Sequence, residues 1–325
     1  MSTYYQIFGG KINVVSADPS NPIEGQIWYN TTTETLKYRT GTATSAWSTG
    51  GNLITARAQL GGAGTQALGL AFGGFLDAAS NSTEEYDGTN WVVGGNLGTA
   101  RYSLGGCGTQ TLGLAFAGQS GGIRTNATEE YDGSTWTAGG NMGTARNALG
   151  GVGTQTLALA FGGATATLNL ASSEEYDGSA WTAGGNLGTA TYSLAGAGTQ
   201  TAGLAFGGGI GPTVTAVTQE YDGTSWTAGG NLTTARFQLA GAGTQTAGLA
   251  FGGFTPSDSN ATEEYNGTSW TAGGSLIRAR RNLAGAGTQT AGLAFGGNIP
   301  GTPSYVNLTE EYNGAGSFFT KTILS

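Results

Sequence analysis

Paired glutamates are the first residues of this chain that could do acid–base work: Glu84-Glu85, Glu129-Glu130, Glu174-Glu175, Glu263-Glu264 and Glu310-Glu311. Two carboxylates and a tyrosine can suffice to cleave a glycosidic bond, so a glycan-processing activity would sit here. Yet each pair stands in nearly the same text. An active site needs unlike groups converging in one asymmetric arrangement, and uniform carboxylates argue against that. They read better as strand-edge solvation or as partners of an equally regular cation. Arg57, Arg101, Arg146, Arg236 and Arg280 supply such a cation, with Thr191 at the matching point of the fourth copy.

Histidine is absent and Cys107 is the single cysteine. That removes the commonest general base, ordinary zinc and copper sites, and any internal disulfide. Cys107 stands where other copies carry Ala63, Val152 and Ala197, so it reads as small core filler rather than a nucleophile. No catalytic residue, metal site or cofactor is expected. The 20 acidic residues against 12 Lys plus Arg give a formal charge of −8, which disfavours a nucleic-acid surface. No apolar run is long enough to span a membrane. The opening MSTYYQIFGGK has neither a basic leader nor an apolar stretch, so synthesis in the cytoplasm without a signal peptide is expected. Asn-x-Ser/Thr triplets at Asn30, Asn81, Asn126, Asn260 and Asn307 read as loop composition rather than glycosylation.

The text that must position these residues is GTAR-x-x-LAGAGTQTAGLAFGG, a variable stretch, then TEEYDGTSWTAGGNL, in six near-copies. Its tryptophans, Trp47, Trp91, Trp136, Trp181, Trp226 and Trp270, set a period of 44 or 45 residues, which points to a solenoid, propeller or array. The 62 glycines show no G-X-Y period, which excludes collagen. Each copy holds four runs fit for strands. In the fifth they are 237–243, 247–252, 262–265 and 270–273, with a Thr244-Gln245 turn and an Asn266-Gly267 turn between them. The glycine-rich first run suits a place where backbones converge. Phe72, Phe116, Phe161, Phe206, Phe251 and Phe295 follow a leucine by two, so both share one face of the second run.

The order arginine, apolar strand, diglycine, Tyr-Asp, tryptophan resembles the kelch repeat over nearly all of residues 47–316. The diglycines are Gly73-Gly74, Gly162-Gly163, Gly207-Gly208, Gly252-Gly253 and Gly296-Gly297, with Ala117-Gly118 in the second copy; the tyrosines are Tyr86, Tyr131, Tyr176, Tyr221, Tyr265 and Tyr312. The resemblance implies an all-β fold, a kelch-like β-propeller of four-stranded blades. It also implies that Arg57, Arg101, Arg146, Arg236 and Arg280 lie near the axis at one mouth, as a ring for an anionic ligand. The competing reading pairs each arginine with a glutamate of a neighbouring blade. Kelch-type copper oxidases need histidines this chain lacks. The Asp-Gly-x-x-Trp run is similar to the aspartate box of sialidases, except that its Asp and Gly are adjacent.

Six blades are preferred, with the strand at Trp47 completing the blade begun by 280–312. A seven-bladed alternative uses Phe8, Gly9, Gly10 and the hairpin after them, while 318–324 complete the sixth. Two domains are read: an attachment segment, 1–45, and a propeller, 46–325. Within the first, 26–30 can pair with 35–39 across a polar turn, 31–34. NPIEGQIWYNTTTETLKYRT is similar to N-terminal elements of bacteriophage tail-fibre and appendage proteins, which makes Trp28, Tyr29 and Tyr38 candidate attachment residues.

Alternating strands place the Thr-Gln and Asp-Gly turns at one end, and the arginine links and post-diglycine loops at the other. Those loops share no text, so recognition is expected there, with Phe75, Arg124, Asn169, Phe254 and Tyr305 as candidates. The expectation is a non-enzymatic, multicopy phage virion protein that binds other virion proteins through its N-terminal segment. Its loop face would meet a host-surface glycan or protein, with no nucleic acid and no membrane insertion. A cellular kelch protein-binding module and a glycan-processing enzyme are the alternatives.

Overall fold

A computed structural model describes residues 6–7, 10–17, 27–38, 44–301 and 304–315, and among them the chain is all-β. Six four-stranded antiparallel sheets hold the repeats. Sheet one runs Gly61–Gly64, Gly69–Phe72, Thr83–Tyr86, Trp91–Val93. Sheets two to five repeat that order from Gly105, Gly150, Ala195 and Ala240. Sheet six takes Ala284–Gly287, Ala291–Phe295 and Thr309–Asn313, and its fourth strand is Ala46–Thr49, with Tyr312 opposite Trp47. First strands touch first strands in sequence order, and Ala284–Gly287 touches Gly61–Gly64. This cyclic order fits a β-propeller.

The fifth copy shows where the strand limits differ from the sequence reading. Its strands are Ala240–Gly243, Gly248–Phe251, Thr262–Tyr265 and Trp270–Ala272. Phe237 falls outside the first and makes only an isolated bridge to Phe254. The intervening Gln238 has φ +57°, a left-handed conformation that breaks the extended run.

Burial explains the repeated text. Every sheet seats its phenylalanine against a tryptophan of the next: Phe72 with Trp136, Phe116 with Trp181, Phe161 with Trp226, Phe206 with Trp270, Phe251 with Trp47, and Phe295 with Trp91, at 4.9–5.0 Å between ring centroids. The indole N–H then donates to a hydroxyl in the phenylalanine's own sheet, as Trp136 does to Thr83 Oγ1 at 2.9 Å. Glycine in the first strand makes room for these rings. A Cβ at Gly106 would lie 2.4 Å from Phe72 Cζ, so the crowding at that point comes from side chains as well as converging backbone.

Two further side chains tie each junction. Gln110 donates to the carbonyls of Gly69 and Tyr86 in the preceding sheet, and Gln66, Gln155, Gln200, Gln245 and Gln289 do the same at their junctions. Tyr131 donates to Glu85 at 2.5 Å, and Tyr176, Tyr221, Tyr265, Tyr312 and Tyr86 donate to Glu130, Glu175, Glu220, Glu264 and Glu311. Burial, reinforced by that carboxylate, raises the Tyr86, Tyr131, Tyr176, Tyr221 and Tyr265 pKa values to about 12. The folded state thus keeps phenols neutral that the unfolded chain ionises near 10, so this stability is full below about pH 10 and is lost as pH climbs through about 12. The urea midpoint is therefore expected to fall steeply across that window, with Tyr131→Phe losing about one proton's share of the slope. A flat midpoint would contradict the assignment.

At the loop end six residues with positive φ form a circle of backbone hydrogen bonds. Gln59 donates to Asn282, Asn282 to Gln238, Gln238 to Ser193, Ser193 to Ala148, Ala148 to Ser103, and Ser103 back to Gln59, each N···O 2.7–2.9 Å. Their φ angles are +51° to +57° although none is glycine. A left-handed L-residue costs on the order of 1 kcal/mol, and here each amide gains a directed partner in exchange.

The large compact unit is Ala46–Asn313, which lies within the 46–325 span read from the sequence. A smaller unit includes Asn13–Val15, Ile27–Asn30 and Thr35–Tyr38. The hairpin read from the sequence is present, with Ile27 opposite Tyr38 and Asn30 opposite Thr35. Asn30 Oδ1 accepts the Thr32 and Thr33 amides and so closes the turn. A third strand, Asn13–Val15, adds parallel to Ile27–Asn30. Phe8, Gly9 and 318–324, on which the seven-sheet alternative draws, lie outside the described residues.

Candidate functional site

The arginines do not form an open ring. Arg57, Arg101, Arg146, Arg236 and Arg280 are 0% exposed, and each faces a carboxylate of the third strand of its own sheet. The ion pairs are Arg57–Glu84 at 3.0 Å, Arg101–Glu129 at 2.9 Å, Arg146–Glu174, Arg236–Glu263 at 3.0 Å and Arg280–Glu310 at 3.1 Å. This corrects both expectations: the guanidiniums are not available to an anionic ligand, and their partners are not in a neighbouring sheet. Antiparallel folding brings the link before strand one over the start of strand three, some 27 residues later in Arg236–Glu263.

Each arginine also donates to backbone carbonyls, as Arg101 does to Ala127 at 2.7 Å and Ala117 at 3.2 Å. The glutamate's other oxygen accepts a link amide, Glu129 Oε2 from Gly98 at 2.6 Å. Burial lowers the arginine pKa values, and the facing glutamate pulls them back. With one glutamate of each pair buried against arginine and the other accepting the next sheet's tyrosine, both carboxylates are structurally engaged. Among the described residues no group of three or more Cys, Asp or Glu side chains is placed to hold a metal ion. Cys107 is buried, which raises its thiol pKa and makes it a poor nucleophile.

Sheet four changes the pair as a unit. Thr191 replaces arginine and Gln219 replaces glutamate, and Gln219 Oε1 still accepts the Gly188 amide at 2.7 Å. The double change leaves no unpaired buried charge. It was visible in the sequence as two departures from the repeat within one copy, and it is the signal that identifies the ion pair.

Links and variable loops meet at one end of every sheet. The residue after each arginine position bridges the residue after each diglycine: Ala58 with Phe75, Tyr102 with Gln119, Asn147 with Ala164, Tyr192 with Gly209, Phe237 with Phe254, and Arg281 with Asn298. All twelve of these differ in combination from sheet to sheet, so this rim is where the repeats stop being alike.

Three sectors follow round the rim. Phe75 packs edge-on against Tyr102 at 4.9 Å and lies 6.0 Å from Tyr305, which unites two of the residues singled out from the sequence. Arg124 stands apart from them, donating to Asn147 Oδ1 at 3.0 Å, while Asn147 donates to Gln119. Asn169 bridges Ala164 through its backbone. Phe254 belongs to a third cluster with Phe237 at 5.7 Å, and Tyr192 lies 6.3 Å from Phe237. Arg281 sits 4.7 Å above the Phe254 ring and pairs with Asp258 at 3.0 Å. Sequence reasoning missed Tyr192, Phe237 and Tyr102 because they lie in the otherwise recurrent link; the variability of the position after arginine was the available signal.

In the small unit Trp28 is fully buried and Tyr29 half-buried, so Trp28 does not offer the attachment surface read for it. Tyr38 ends the strand Thr35–Tyr38, and its side chain lies outside the described residues. No protein-family model matches this chain, and no curated protein matches it.

Proposed function

We propose that the chain is a non-catalytic recognition module, a six-bladed kelch-like propeller that serves as a phage virion surface or tail-appendage protein. What supports this reading above all is the division of labour between recurring and varying residues. The recurring arginines and their glutamates hold each sheet to its link, the tyrosines, their glutamates and the glutamines hold it to the next sheet, and the side chains that vary gather at one rim. A scaffold that fixes identical sheets and varies one end is built to present a surface. The virion assignment rests on the resemblance carried by NPIEGQIWYNTTTETLKYRT, and the segment before residue 46 is the proposed tie to the particle.

Deleting residues 1–45 tests it. The truncated protein is expected to unfold at nearly the parental midpoint and to be missing from purified particles. Normal incorporation of the truncation would sink the virion reading. Turnover of a polysaccharide, abolished by a glutamate substitution in one sheet and not in the next, would instead establish the glycan-processing alternative.

A further inference from the structure

The rim between sheets four and five carries a cleft of about 480 Å³, within the size range of small-ligand sites. Tyr192, Phe237 and Phe254 supply its aromatic walls, and Pro212, Val214 and Pro256 complete it. Tyr192 lies against the backbone of Gly209: a Cβ there would come within 2.7 Å of two ring carbons. At the corresponding point other sheets carry Phe75, Gln119, Ala164, Phe254 and Asn298, so the seating of this ring is special to sheet four.

The polar atoms at the edge select the ligand. Thr213 Oγ1 donates to the Ile210 carbonyl at 2.9 Å, Tyr192 Oη to Gly211 at 3.4 Å, and Thr255 Oγ1 to Ser257 at 3.4 Å. Each hydroxyl points its proton at a carbonyl of the same rim and turns lone pairs outward, Thr255 Oγ1 with one of its lone pairs on the Ser257 amide at 3.5 Å. A ligand that brings donors suits this edge best. Proline-rich peptide brings mostly acceptors, whereas sugar hydroxyls bring donors around a ring whose C–H face complements the negative face of an aromatic ring. Arg281, which lies over the Phe254 ring, is paired with Asp258, and no charged side chain among the described residues lines the cleft, so it favours an uncharged ligand.

We propose that this cleft binds a neutral pyranose, with its C–H face on the aromatic walls and its hydroxyls donating to Tyr192, Thr213 and Thr255. The inference rests on the recognition reading above and names the ligand class for that rim.

Saturation-transfer NMR of the full chain against a panel of neutral methyl pyranosides, a sialoside and a proline-rich decapeptide provides the test. Saturation is expected at the ring C–H protons of at least one neutral pyranoside, with Kd on the order of 1 mM. Tyr192→Ala should weaken binding about tenfold and Thr213→Val about threefold, while Tyr102→Ala, its counterpart in sheet two, should leave it unchanged. Thr213 is exposed, so its variant keeps the fold and the test stands even if Tyr192→Ala does not. No transfer to any neutral pyranoside, binding indifferent to both variants, or displacement of sugar by the decapeptide would overturn the proposal. Binding by a protein that never enters particles would refute the virion assignment and leave the saccharide site standing.

Discussion

Thr191→Arg is expected to destabilise the protein by about 3–5 kcal/mol when made alone and to be largely harmless when made with Gln219→Glu. The single change buries a guanidinium opposite a neutral amide. Both side chains run past the same glycine: a Cβ at Gly208 would lie 2.6 Å from Thr191 Cγ2, and one at Gly74 would lie 3.3 Å from Arg57 Cδ, so the arginine of sheet one starts along the course that Thr191 takes in sheet four. Gln219→Glu alone should cost less, about 1–3 kcal/mol, because the Gly188 amide still donates to the carboxylate. The double variant rebuilds the pair of the other five sheets and should return within about 1 kcal/mol of the parent. Urea unfolding of the four proteins reads the coupling directly. If the double variant is as unstable as the sum of the singles, the ion pair is not what holds link to sheet.

Phe206→Ala carries the other large effect, about 3–5 kcal/mol, through the cavity it opens. Phe206 is 1% exposed and packs edge-on against Trp270 at 4.9 Å, so the truncation removes both burial and an aromatic contact. Collapse cannot fill the hole. The neighbouring position is Gly241, where a Cβ would lie 2.6 Å from Phe206 Cζ but also 2.5 Å from the Gly196 carbonyl oxygen. Gly241→Ala is therefore no rescue, since the backbone blocks it even after the ring is gone. An unchanged unfolding midpoint for Phe206→Ala would contradict the core assignment.

Much of the fold was legible because it rests on local periodicity. Tryptophan spacing, the Asp-Gly turns and the Leu-x-Phe alternation each report on a few adjacent residues, and the strands Thr262–Tyr265 and Trp270–Ala272 lie within a residue of their expected limits. Partners were harder to read. Whether Glu129 faces Arg101 or Glu130 accepts Tyr176 depends on a one-residue step along a strand, which sends successive side chains to opposite faces. The sequence presents both as one motif. Thr-Gln looked like turn chemistry, and its threonine does serve the turn, as Thr65 Oγ1 does by accepting the Leu68 amide; its glutamine reaches the previous sheet. The circle from Gln59 to Asn282 carries no glycine signature, so its left-handed backbone was hidden from composition. Strand Asn13–Val15 was missed because three residues show no periodicity.

Sheet six joins the earliest strand of the large unit to the last, with Ser48 and its partner Glu311 263 residues apart in sequence. During synthesis Ala46–Thr49 emerges first and must wait, while five sheets can form from contiguous chain. Five other strands present the same tyrosine-opposite-tryptophan pairing, from Tyr86–Trp91 to Tyr265–Trp270. The waiting strand is thus a near-match for every third strand made before its true one. Local hairpins form within microseconds and occupy those edges before a distant strand can compete, so completion of sheet six is expected to be the slow, late event in refolding. Two chains exchanging Ala46–Thr49 would satisfy the same register, which makes strand-swapped dimers the characteristic error at high concentration.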